Sequence, residues 1–537
     1  MTTKNITWET VRDTLNNEVL PQLMPITDWV RKRIPNNQAI QDSIWGQVYL
    51  APWEVALLDT PLMQRLRQIH QLGPAFFVYP SAIHDRFSHS LGVAFLAESL
   101  VTSLQNKIRY KIISLAPEDG EVITLKDSYT IKLAGLLHDI GHCLFSHCSE
   151  FVFKPIWDKI YYSDFAEILP MKPATHEFTG YMIITSDYFR NYWKTIIKPI
   201  FLAHNVDEKD IPDLDDIAKA ITGNFISPEK RFITEIINGP YDVDKIDYMQ
   251  RDSKTAGIAI SCDPERYFSK IILHKQKNSE NLTIWRLAMK LEGVHVAEQM
   301  LISKMMLFPY IFQHNKVLAS EFLVCNILEK LVEGKSTNTI KIKNPIELLL
   351  YTDNDLLCFS CHSKDEALNR QIQCLRERIF PRIAFVLSKN VCLNQNSAEF
   401  KRNFPKVRQF AKTRDKRFRR YVANYLSKRA VEVGYSPISK DEVELFFSRG
   451  RSVIDKMGNA PVINYTEKME KIKDRWLMRN WDSSASSDND IIYFYVPAPY
   501  MRFAFEVIAD MLKERFHFEL DLEKVREIIK LKNKKIN

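Results

Sequence analysis

Ile131-Lys132-Leu133-Ala134-Gly135-Leu136-Leu137-His138-Asp139-Ile140-Gly141-His142 is the stretch whose reading decides the fold. Leu133, Leu136, Leu137 and Ile140 recur at helical spacing and define one apolar face. That face carries an adjacent His-Asp pair into the interior. An imidazole and a carboxylate set side by side on apolar surroundings are costly to bury unless something positive satisfies them. A divalent cation does so, whereas an isolated His-Asp dipeptide more commonly makes an ordinary hydrogen bond.

Working outward, two further segments favour the cation. Upstream, in His84-Asp85-Arg86-Phe87-Ser88-His89-Ser90-Leu91-Gly92-Val93, His89 precedes a helix whose Val93, Leu96 and Leu100 share a face. Downstream, Tyr241-Asp242-Val243-Asp244-Lys245-Ile246-Asp247-Tyr248 is followed by Arg251-Asp252. His89, the pair His138-Asp139 and the distant Asp244 supply two nitrogens and two oxygens. This mixed set suits a borderline or hard first-row cation, with positions left for water and substrate. Mg, Mn and Fe all meet that description.

The rest of the chain reads as a folded, mainly helical protein of 537 residues, 45% hydrophobic and 26% charged. Its 15 glycines are too few for a many-turned barrel or propeller, and its net charge of +8 suits an anionic ligand. Residues 1–44 are expected as a helical lead-in, since Trp8, Val11, Leu15, Val19 and Leu20 fall near helical spacing. Residues 45–333 read as a succession of amphipathic helices forming the core that carries these segments. The polar stretch Gly334 to Pro345 marks a boundary. Residues 334–537 are expected to be mixed α+β, regulatory or oligomerising, with a strand at Ile491-Ile492-Tyr493-Phe494-Tyr495-Val496 and a solvated loop at Ser483 to Asp488. The first twenty residues lack the apolar core of a signal peptide, and no run of eighteen apolar residues occurs. A cytoplasmic protein with no membrane span and eight reduced cysteines is therefore expected.

In these segments the chain resembles the HD-domain superfamily, and within it the deoxynucleotide triphosphohydrolases: the animal enzymes with a sterile-alpha-motif appendage and their bacterial relatives. The likeness runs from about Asp42 to Lys316. It rests on Asp59-Thr60-Pro61, Gln64-Arg65-Leu66-Arg67, Gln71-Leu72-Gly73, Arg86 to Gly92, His138 to His142, Phe145-Ser146-His147, His176-Glu177, Asp242 to Tyr248 and Gln313-His314. A bare His-Asp dipeptide is weak, but this ordered set is specific. The resemblance implies an HD-domain helical core and hydrolysis of a dNTP to deoxynucleoside and inorganic triphosphate.

It also implies residue roles. His147 and Glu150, three apart and so on one helical face, form a pair able to charge an imidazole for proton transfer to the leaving 5′ oxygen. His176 matches a further active-site histidine. Arg86, His142, Lys245, Tyr248 and Lys304 match positions lining the triphosphate, with Lys304 replacing an arginine. Gln71, Leu72 and Asp252 match residues at the deoxyribose. Phe312 replaces a tyrosine that helps reject a 2′-hydroxyl, so its ring is left to exclude that group sterically.

Regulation carries over least. Asp59, Gln64 and Arg67 match an activating guanine-nucleotide site between subunits, which implies an allosteric homo-oligomer. Against that, Gln38 and Glu292 stand where the animal enzymes have phosphate-binding lysines, and Trp45 interrupts their Asp-Pro-x-His-Gly stretch. Lys401 to Arg420 holds ten Lys or Arg with Phe404, Phe410 and Phe418 interleaved, a pattern that fits either nucleic acid or a solvated helix face. Cys358-Phe359-Ser360-Cys361-His362 spells a haem-attachment pattern that needs export to be used, and is set aside. Two competing readings are an HD phosphodiesterase or nucleotidase acting on another phosphoester, and a nucleotide or nucleic-acid sensor with a vestigial site.

Overall fold

A computed structural model of the chain describes residues 6–260, 263–277, 281–439, 442–448, 459–464, 468–472 and 490–534. The expected loop at Ser483 to Asp488 lies outside the described residues. The chain forms two compact units that interleave along the sequence. One comprises Met1–Leu307, Ile327–Asn369 and Asp455–Arg475; the other comprises Phe308–Asn326, Arg370–Ile454 and Trp476–Asn537.

The first unit is mainly helical. Residues 8–23 run helically with Val11, Leu15, Val19 and Leu20 fully buried, as their spacing predicts. Helix Arg86–Arg109 is the spine, packing on Leu125–Leu137 and on Val243–Ala256. Its start is fixed by Asp85, whose carboxylate accepts from the Ser88 amide at 2.7 Å. Asp242 caps Val243–Ala256 likewise, accepting from the Lys245 amide at 3.1 Å, and Gly257 ends that helix at φ +70°. Helix Arg86–Arg109 is also long and apolar enough to cross a membrane, but 67% of its most apolar window is buried inside the protein.

Two hairpins depart from the helical expectation. Strands β1 (Gln38–Asp42) and β2 (Gly46–Leu50) pair antiparallel within and just beyond the lead-in. The Asp42 carboxylate accepts from the Ile44 and Trp45 amides at 2.8 and 2.9 Å, and Gly46 takes φ +77°, so local turn chemistry overrides helix here. Strands β3 (Ile271–Lys277) and β4 (Thr283–Lys290) form the second hairpin, in segments rich in β-branched and aromatic residues. Short strands Pro461–Ile463 and Met469–Lys471 extend it to four.

The second unit is mixed α+β. Ile491–Val496 is a strand, and it lies central in a three-stranded antiparallel sheet between Arg382–Ser388 and Glu444–Ser448. Helices Ala398–Lys412 and Lys416–Glu432 carry the basic stretch. Phe404 and Phe418 are buried, and the Phe410 and Phe418 rings stack at 4.7 Å, so the interleaved aromatics serve packing. Arg414 and Arg419 both pair with the buried Glu444.

Candidate active site

The site is built in the first unit, where three helices converge. His89 comes from the first turn of Arg86–Arg109, His138 and Asp139 from the end of Leu125–Leu137, and Asp244 from the first turn of Val243–Ala256. His89 Nε2 lies 3.2 Å from His138 Nε2, 3.0 Å from Asp244 Oδ1 and 3.7 Å from Asp139 Oδ2. His138 Nε2 lies 3.3 Å from Asp139 Oδ1 and 3.8 Å from Asp244 Oδ1. A first-row ion with bonds of about 2.0–2.2 Å separates its ligand atoms by roughly 3.0–3.6 Å; His89, His138 and Asp139 group closely enough to share one, and Asp244 stands at their edge, 3.0 Å from His89 and 3.8 Å from His138.

Both imidazoles are oriented for that task. His89 Nδ1 pairs with Asp247 Oδ2 at 2.6 Å and His138 Nδ1 with the Gly135 carbonyl at 2.8 Å, which turns each Nε2 toward the centre. The cage also attracts positive charge. Burial alone would depress His89, yet Asp244, Asp247 and Asp139 raise it to about 10. Asp139 is held well below the usual carboxylate range despite burial, by Arg86 and by His138 and His142. Donor set, spacing and charge all fit a divalent metal ion.

A supporting layer surrounds these ligands. Asp247 accepts from Arg251 Nε and one terminal nitrogen at 2.8 and 2.9 Å and from the Trp45 indole; Arg251 also reaches Asp42 at 2.9 Å. A Cβ at Gly92 would lie 1.9 Å from Asp247 Oδ1, so only glycine lets this pair approach the helix. Arg65 donates to the carbonyls of Ile140 and His142, pinning the turn that follows His138-Asp139. Arg86 is buried behind Asp139, at 2.6 Å from its Oδ2, with its Nε on Ser146 Oγ at 2.9 Å and another nitrogen 3.3 Å from the Gln71 carbonyl.

Beside the cage stand His147, Glu150, His142 and His176. Glu150 Oε1 accepts from His147 Nδ1 and from His176 Nδ1, each at 2.7 Å. His142 stacks on His176 with centroids 4.1 Å apart, and its Nε2 lies 3.4 Å from Asp139 Oδ1. Burial would raise Glu150, but His176 and His147 hold it well below its ordinary range; reciprocally, Glu150 lifts the half-buried His176 to about 9. His147 is the exposed member, its side chain 62% accessible.

A cavity of about 330 Å³ opens onto this constellation, lined by His138, Asp244, His176, Lys245, Tyr248 and Lys304 among others. Lys245 donates to the Gly239 carbonyl at 2.9 Å and pairs with Asp242. Gln71 and Leu72 are buried close behind, and Asp252 pairs with His84 Nε2 at 2.8 Å. Phe312 ends the short helix Phe308–Phe312 of the second unit, its ring 4.9 Å from that of Phe308. Asp59 pairs with Arg33; Gln64 accepts from Arg67 Nε at 2.9 Å, and Arg67 lies over the Phe87 ring at 3.5 Å.

The sequence alone assigns no site role to Asp247, Arg251, Asp42, Trp45, Arg65, His84 or Asp353. Asp247 and Arg251 carried a usable signal, an acid and an arginine four apart on the helix that bears Asp244. The others come from segments far along the chain, and only the fold brings them together.

A family model described as the HD domain matches residues 86–252. The chain is 33% identical over 254 residues to the human deoxynucleoside triphosphate triphosphohydrolase SAMHD1, a match covering 44% of this chain and 36% of that protein. It is 35% identical over 248 residues to the Bos taurus protein of the same name, covering 43% and 37%. The chain thus spans little more than a third of the length of these curated relatives. A crystal structure of a hypothetical protein from Aquifex aeolicus shares the fold, with TM-score 0.57 and 20% identity over 88% of this chain and all of that one.

Proposed function

We propose that this chain, related through its HD domain to the deoxynucleoside triphosphate triphosphohydrolases, hydrolyses dNTPs to deoxynucleoside and inorganic triphosphate. The observation that carries the reading is the His147–Glu150–His176 group standing beside a cage fit for a metal ion, on a cavity bearing Lys245 and Lys304. A sensor with a vestigial site has no use for such a group.

A divalent ion, which His89, His138, Asp139 and Asp244 would hold, would supply Lewis-acid charge and lower the pKa of a water. The remaining work falls to side chains. Lys245, Lys304 and Tyr248 line the cavity and receive the triphosphate, the lysines as point charges. Protonated His176 adds positive charge to the cavity wall, while burial and the neighbouring Arg86 and His176 keep His142 neutral. Arg86 acts through Asp139, holding that carboxylate ionised and aimed. Water attacks the α-phosphorus and gives up a proton to solvent, a new P–O bond forms, and the bond to the 5′ oxygen breaks. His147, its Nδ1 proton held by Glu150, delivers a proton from Nε2 to the departing oxygen. Gln71, Leu72 and Asp252 receive the sugar.

The test is product identity. Purified protein with Mg, Mn or Fe is incubated with each dNTP, alone and mixed, and products are separated. Deoxynucleoside with inorganic triphosphate supports the reading. Monophosphate with pyrophosphate, or turnover confined to other phosphoesters, replaces it with a nucleotidase or phosphodiesterase. Turnover seen only in dNTP mixtures would point to a nucleotide effector.

A further inference from the structure

Two consecutive residues ahead of His147 adopt a backbone that L side chains rarely take. Phe145 has φ +55° and Ser146 φ +54°, and helix His147–Ile160 begins immediately after them. Such conformations are costly for L residues and persist only where surrounding contacts over-determine them. Ser146 makes no side-chain cap to its helix. Its hydroxyl is instead engaged with the His70 carbonyl and with Arg86 Nε.

The contact that fixes the turn comes from Asp353, 208 residues further along the chain. Asp353 is fully buried. One carboxylate oxygen accepts from the Phe145 amide at 2.6 Å. The other accepts from the His70 amide at 2.9 Å and meets His70 Nδ1 at 2.7 Å. One side chain therefore ties the His70 segment, which leads into Gln71 and Leu72, to the strained turn that launches His147 and seats Arg86. It lies outside the matched HD segment of residues 86–252.

We infer that Asp353 is a positioning residue for the His147 proton donor, acting through the Phe145–Ser146 turn. The inference rests on the proposed role of His147. Removing the carboxylate frees the Phe145 amide, lets the turn relax toward negative φ and shifts the first turn of the following helix. The cage residues come from other helices, and Arg86 keeps its own bond to Asp139 when its contact with Ser146 loosens, so the cage stays in place.

The metal-loaded full chain and its Asp353→Ala and Asp353→Asn variants are compared on two substrates. A dNTP loses an alkoxide and needs the proton. Bis(4-nitrophenyl) phosphate loses a stable phenolate and does not. Asp353→Ala should lower kcat on the dNTP by at least about tenfold, within the range of general-acid assistance. Metal content and turnover of the aryl ester should hold. Amide hydrogen exchange across residues 144–149 should accelerate. Asp353→Asn keeps one acceptor for the Phe145 amide and should fall between, and it decides the matter if the alanine variant does not fold. Equal losses on both substrates, lost metal, unaltered exchange, or unaltered dNTP turnover would each overturn the inference. Wild-type protein inactive on dNTPs ends the substrate reading instead, and exchange across 144–149 then decides the Asp353 claim by itself.

Discussion

Asp247 Oδ2 lies 2.6 Å from His89 Nδ1, and the same carboxylate is gripped by Arg251 and by the Trp45 indole. The carboxylate thereby fixes the tautomer and ring plane of His89 and raises the basicity of Nε2. Asp247 is fully buried, and Arg251 with His89 holds it near 2 against the effect of burial. Asp247→Asn should weaken metal affinity by roughly 10–100-fold with the helical fold retained. Competition with a graded chelator measures this; affinity within twofold of wild type would remove Asp247 from the support of the site.

Gly92 gives a steric test of the same arrangement. Its missing Cβ would stand 1.9 Å from Asp247 Oδ1 and 2.5 Å from an Arg251 nitrogen. Both are buried ends of a fixed ion pair, so neither yields freely. Gly92→Ala should destabilise the protein by about 1–3 kcal/mol, the usual cost of overpacking, and weaken metal binding with it. Denaturant titration and metal content are the measurements, and an alanine variant equal to wild type in both would show that the pair shifts at no cost.

How much of this was legible beforehand follows from where each signal sits. The segment Ile131 to His142 gave both the apolar helix and the His-Asp pair, because helix period and ligand chemistry coincide within a dozen residues. Val11, Leu15, Val19 and Leu20 were readable for the same reason. The β1–β2 hairpin was not, since Gln38, Gln41 and Gln47 blur the alternation and the turn depends on Asp42 accepting two amides. Asp353 and Trp45 were beyond reach, because neither has a local pattern and both act on residues around two hundred positions away. The aromatics within Lys401 to Arg420 look the same in sequence whether exposed or buried, and only packing separates the two.

The Glu150–His176 pair predicts a pH dependence of stability. His176 is lifted to about 9 from an ordinary value near 6.5, so the folded state binds its proton more tightly. That contribution is complete below about pH 6.5 and is lost as pH rises through about 9. Glu150 is depressed, so its contribution is present above its ordinary range near 4.3 and is lost on acidification. The gap in melting temperature between wild type and His176→Gln should therefore be widest near pH 5–6.5 and shrink steadily by pH 10. A gap that stays constant from pH 6 to pH 10 rules out a charged pair in the native state.

The last prediction separates proton delivery from metal binding. His147 Nδ1 is 2.7 Å from Glu150 Oε1, whereas the cage is formed by His89, His138, Asp139 and Asp244. Asp139→Ala and Asp244→Ala each remove an anionic ligand and should abolish both bound metal and hydrolysis. His147→Ala leaves all four ligands and should keep the metal, yet lose about 10²–10⁴-fold in turnover of a dNTP because the 5′ oxygen must leave unprotonated. Glu150→Gln should lose less, since glutamine can still accept from Nδ1 while supplying no charge to an imidazolium. Elemental analysis beside turnover reads all four variants. If His147→Ala loses its metal, His147 is a ligand and the four-residue cage is misassigned. If it keeps both metal and near-normal turnover, the proton comes from another group; His176, sharing the same Glu150 oxygen at 2.7 Å, is then the residue to substitute.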